Sequence, residues 1–86
     1  MALTKLGAAD GVAEQIEAAI RTSVPHAQVQ VKAGGVGHFE VSVVAEAFRG
    51  KSMVQQHQIV YRAITPLMVG DAAPVHAIDR LQTKAP

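Results

Sequence analysis

The chain has no cysteine. Disulfides, zinc–thiolate sites and thiol nucleophiles are therefore excluded from its chemistry. Aromatic residues are only 3% of the sequence while hydrophobic residues are 49%. Its core must therefore be built from Val, Ile, Ala and Leu. No apolar run approaches the roughly 20 residues that a membrane span needs. The opening MALTKLGAADG has one lysine and no long apolar segment, a poor secretory signal. A cytoplasmic protein with no membrane association is the simplest expectation. Eighty-six residues suffice for one domain with one modest core.

The net charge is small, +1, but unevenly spread. Residues 1–48 carry three cations against five anions, and residues 49–86 carry five cations against two. A mildly basic face in the second half is possible. It falls short of the clear basic stripe of a typical nucleic-acid binder.

Residues 1–9 read as a flexible leader to a single domain over residues 10–86. Val12, Ile16 and Ile20 recur at helical spacing, with Ala13, Ala19 and Val24 beside them. Asp10 is the expected N-cap of this helix, and Pro25 closes it. Gln28 to Lys32 alternates polar and apolar residues as a half-buried strand does. The glycine-rich segment from Ala33 to Gly37 then leads into a second strand, His38 to Ala45, which predicts a hairpin. In that strand Phe39, Val41 and Val43 share one face, and His38, Glu40 and Ser42 share the other.

Phe48 to Lys51 turns the chain, and Ser52 is placed to cap a second helix. Its expected apolar face is Met53, His57, Val60, Tyr61, Ile64 and Met68, with Pro66 distorting the last turn. Gly70 to Pro74 is the exit loop, and Val75 to Gln82 is expected to form a third strand. The order α-β-β-α-β implies an α/β (α+β) domain: a three-stranded mixed sheet with both helices on one face.

Nothing here composes a catalytic centre. There is no paired-carboxylate motif, no histidine beside an activated serine and no cysteine nucleophile, so an enzyme is not expected. Gly34 to Gly37 spells G-x-x-G, the pattern with which KH domains clamp a nucleic-acid backbone, but here it joins two strands. Turn geometry and close approach of a partner account for these glycines better. Of the four histidines, His26 carries no signal. His57 falls on the apolar stripe of the second helix, where a ring normally finds backbone partners. His76 begins the third strand, where an ordinary strand-end histidine is the first reading from the residues alone. His38 reads equally as a ligand or as a solvent-facing strand residue.

Three segments together, HFEVSVVAEAF (38–48), GKSMVQQHQIVY (50–61) and VHAIDRLQTKAP (75–86), resemble the BolA family of small KH-like domains. The resemblance spans residues 10–86 and implies non-enzymatic work. It implies association with monothiol glutaredoxins and a bridging [2Fe-2S] cluster, in iron–sulfur trafficking or in iron, redox or stress regulation. By the same resemblance one iron belongs to the glutaredoxin cysteine and glutathione. The other belongs to a last-strand histidine, here His76, and to a loop residue between the first two strands. Where relatives have a GGCG-like loop, the cysteine position falls on Val36, which cannot ligate, leaving His38 as candidate.

Imidazole can replace thiolate on one iron of such a cluster, but about four ligands are needed. Two histidines without any cysteine cannot hold one alone, so the isolated chain is expected to bind no cluster. Lys51, Arg80 and Lys84 are candidate docking cations for the partner or for glutathione carboxylates. The alternative implied by the KH-like surface is a DNA-binding regulator, with Arg49, Lys51 and Arg62 touching phosphates. Gln56 and Gln58 stand where relatives often carry arginines, which argues for weak DNA binding. Alone, the chain is expected to be a monomer or weak dimer.

Overall fold

The computed structural model describes residues 8–86. The leader expectation therefore lies largely outside the described residues. Helix α1 runs Ala8–Ser23, strand β1 Gln28–Ala33, strand β2 His38–Val44, helix α2 Met53–Ile64 and strand β3 Ala77–Lys84. The order is the α-β-β-α-β expected from the periodicities. Helix α1 begins two residues before Asp10, so that residue lies inside its first turn and not at the N-cap position.

The sheet has β2 at its centre. It pairs antiparallel with β1 through the hairpin and parallel with β3 through the α2 crossover. The apolar alternation of β2 decides which side is core: Phe39, Val41 and Val43 are buried against Ile16 and Ile20 of α1, Val24 just after it, and Val60 and Ile64 of α2. The other face is polar. Gln30 and Lys32 lie opposite Ser42 and Glu40, and on the far side Gln82 and Arg80 complete the rows.

The α2 stripe is rotated from the expectation. Its buried residues are Gln56, Val60 and Ile64, whereas Met53 and Tyr61 are exposed. The reason lies in the turn before the helix. Gln56 Nε2 donates to the carbonyl of Lys51 (2.9 Å) and, more distantly, to that of Phe48 (3.5 Å), which also accepts the Lys51 N–H of the turn (3.0 Å). Gln56 is thus an internal cap and not part of an outer surface. His57 is only partly buried, and its Nε2 has no hydrogen-bond partner, contrary to the expectation of a satisfied core ring. Ser52 caps α2 as expected, in a capping box with Gln55. Pro66 acts at the other end, where the α-helix stops at Ile64 and a 3₁₀ turn spans Thr65–Leu67.

Strand β3 begins two residues later than its hydrophobic pattern indicates. Val75 is buried, but its N–H goes to the Leu67 carbonyl at 3.0 Å and not into the ladder. That bond anchors the loop and delivers His76 to the mouth of the sheet.

A candidate two-histidine site at the mouth of the sheet

Three short pieces of chain meet where β2 and β3 begin. The hairpin loop is closed by Gly34 N–H to the His38 carbonyl (2.8 Å) and His38 N–H to the Gly35 carbonyl (2.9 Å). Gly37 has φ +76°, left-handed geometry suited to glycine. Its carbonyl accepts two hydrogen bonds, from His76 N–H (2.8 Å) and Ala77 N–H (3.1 Å). A Cβ on Gly37 would stand 2.7 Å from both Cγ and Nδ1 of the His76 ring. The imidazole therefore lies directly on the backbone of Gly37, in space that only glycine leaves. His76 is nevertheless exposed. Its backbone is held by the Gly37 carbonyl while the residue stays open to solvent.

His38 follows Gly37 and pairs in register with Ala77, so both histidines belong to the same end of the sheet. Their ring contacts differ. His38 Nδ1 lies 3.0 Å from Asp79 Oδ1, and both side chains are about half exposed, 45% and 51%. Asp79 reaches it because the ladder slips. Phe39 pairs with Ile78 and Glu40 with Arg80, leaving Asp79 as the extra residue of a β-bulge. At the hairpin tip Val36 is 92% exposed, an apolar side chain presented outward beside the two histidines.

The candidate cations are dispersed over the fold. Arg80 lies across from Glu40, two residues along β2 from His38. Lys84 pairs with Val44 at the opposite end, six residues from His38 and so about 20 Å away. Arg49 and Lys51 belong to that far end too. The Arg49 side chain donates to Glu46 and, at 3.1 Å, to the carbonyl of Pro86. The Glu46 carboxyl is held below the usual carboxylate range, first by its hydrogen bond from Arg49 and further by that group's charge. Arg62 is in the last turn of α2, about 15 Å of helix from Lys51. Arg49, Lys51 and Arg62 thus do not form one short stripe, and Lys51 and Lys84 stand apart from the histidines.

Among the described residues no group of three or more His, Cys, Asp or Glu side chains could hold a metal ion. What the mouth offers is two imidazoles open to solvent, His76 exposed and His38 about half exposed, on hydrogen-bonded backbone. That donor set fits half of a shared cluster and does not fit a self-contained one. Sequence reasoning missed two residues that shape it. Gly37 was readable as a turn glycine, but not as the seat of a ring 39 positions away. Asp79 carried no signal, because a bulge has no local pattern in β3.

A family model described as BolA-like protein matches residues 14–86. This chain belongs to the BolA-like family. It is 32% identical over 97 residues to BolA-like protein 1 of Bos taurus, covering 98% of this chain and 69% of that protein. Against the Homo sapiens protein of the same description, identity is 33% over 92 residues and the chain spans 64% of the relative's length. Among solved structures, a BolA homologue from Coxiella burnetii superposes with a TM-score of 0.68 at 30% identity, covering 85% of this chain and 88% of that one. The two helices and three-stranded mixed sheet are the BolA-like fold.

Proposed function

We propose that this BolA-like chain is a non-enzymatic partner of monothiol glutaredoxins that shares a bridging [2Fe-2S] cluster with them and glutathione. The observation that carries the reading is the His76 ring, exposed yet seated on Gly37 in a place no side chain can share. A surface histidine without a task has no need of such a seat. A ligand that must meet a partner's cluster needs both features, fixed position and open access. His76 and His38 would hold one iron of the cluster; the partner's cysteine and glutathione would hold the other. Arg80, on the strand beside the site, is the cation best placed for a glutathione carboxylate. Val36 offers apolar contact at the rim.

The test is to mix the chain with a monothiol glutaredoxin, glutathione, iron and sulfide, and to record visible circular dichroism against the glutaredoxin alone. A new spectrum, stoichiometric in this chain and lost in His76→Ala, is expected. A glutaredoxin spectrum that this chain leaves unchanged would overturn the reading.

A further inference from the structure

We infer that Asp79 is a positioning residue for His38, holding the neutral ring as its Nδ1–H tautomer so that the Nε2 lone pair is the donor atom it presents. This rests on the shared-cluster reading only for what Nε2 would bind; the positioning itself is a property of the isolated chain. Three observations carry it.

The first is the contact. Asp79 Oδ1 lies 3.0 Å from His38 Nδ1, a hydrogen-bond distance, and a carboxylate at neutral pH can only accept. The proton must therefore be on Nδ1 whether the ring is neutral or charged. When the ring is neutral, Nε2 is left unprotonated, since the hydrogen bond at one ring nitrogen decides what the other can do. The second is the bulge. A regular ladder would set Asp79 opposite Glu40, two like charges across a strand pair. The slip after Phe39–Ile78 sets Arg80 opposite Glu40 and frees Asp79 to reach back to His38. One irregularity produces both arrangements.

The third is exposure. The pair is about half in solvent, so its direct contribution to stability is small. What it changes is the orientation and tautomer of one ring. Carboxylates that accept from the distal nitrogen of a ligating histidine do this in metal sites, orienting the ring and raising its basicity.

The experiment reads tautomers by long-range ¹H–¹⁵N correlation of the imidazoles in the isolated chain, well above the ordinary histidine titration range. His38 is expected as Nδ1–H in the native chain. In Asp79→Ala it should revert toward Nε2–H, the form that an unpartnered imidazole favours, with His76 signals unchanged. The same tautomer in both proteins would overturn the inference. Backbone amide spectra of Asp79→Ala and Asp79→Asn verify that the fold is retained.

A second readout tests the use of Nε2. In the glutaredoxin mixture, Asp79→Ala should weaken cluster retention about tenfold, as loss of an orienting partner typically does. Reversed tautomer with undiminished retention would overturn Nε2 of His38 as a donor. Failure of the shared-cluster reading is separable, because it would show as no new spectrum with the native chain while the tautomer result stood.

Discussion

The two ends of the β2–β3 pair are built differently. At the far end, polar side chains are spent on the protein itself. Ser52 and Gln55 cap α2, Gln56 donates to the turn carbonyls, and Arg49 ties Glu46 to Pro86. At the mouth, the backbone does most of the tying, through Gly37 and its two acceptor bonds; His76 is left exposed and His38, paired with Asp79, about half exposed. An end that consumes its side chains is closing a fold. An end that fixes its backbone and leaves imidazoles open to solvent is the one suited to the proposed contact. The contrast adds to the His76 seat in favouring the mouth as the site of the proposed function.

The sharpest way to break the contrast is Gly37→Ala. Left-handed geometry at a non-glycine residue costs on the order of 1–3 kcal/mol. The new methyl would also stand 2.7 Å from the His76 ring, so the ring or the loop must move. Urea unfolding should report the loss of stability, and the His76 imidazole resonances should shift with it. Full stability with an unshifted His76 would mean that the seat at Gly37 is not tight.

A smaller effect is expected from Ser52→Ala at the far end. Removing a capping side chain typically costs about 1 kcal/mol. Thermal or urea unfolding should show that loss while the His38 and His76 resonances and the cluster spectrum of the glutaredoxin mixture stay as in the native protein. If Ser52→Ala disturbed the histidines as much as Gly37→Ala, the two ends would not be independent and the division would collapse.

What could be read from the sequence follows the range of each interaction. Periodicity gave α1, β1, β2 and the polar outer face, because alternation and helical repeats are local. The Ser52 cap was legible for the same reason. The core face of α2 was misread because Met53 and Tyr61 are apolar by type and Gln56 is not. What buries Gln56 is two carbonyls in a turn whose shape the sequence does not spell. The start of β3 was misplaced because Val75 looks like a strand residue, while its N–H is taken by Leu67 across a loop. At the site, His76 and His38 are candidates that the family resemblance supplies. The His38–Asp79 pair was not, since it joins residues 41 positions apart through a register slip. Long-range irregularity is where reading from the chain alone ends.

The smallest expected effect sharpens the contrast through pH. Glu46 is lowered chiefly by its hydrogen bond from Arg49. A carboxylate whose folded pKa lies below its unfolded value adds stability that is fully present above the unfolded value. The model-compound value is 4.5 here, and the contribution is lost as pH falls through the folded pKa. Both side chains are well exposed, so the contribution is slight and salt should weaken it. Comparing urea unfolding of the native chain with Glu46→Gln from about pH 7 down to about pH 3 should show a small native advantage that closes on acidification. A difference that stays flat across that range would mean the charge of Glu46 is immaterial. Arg49 would then act at the far end through hydrogen-bond geometry and not through the charge of Glu46.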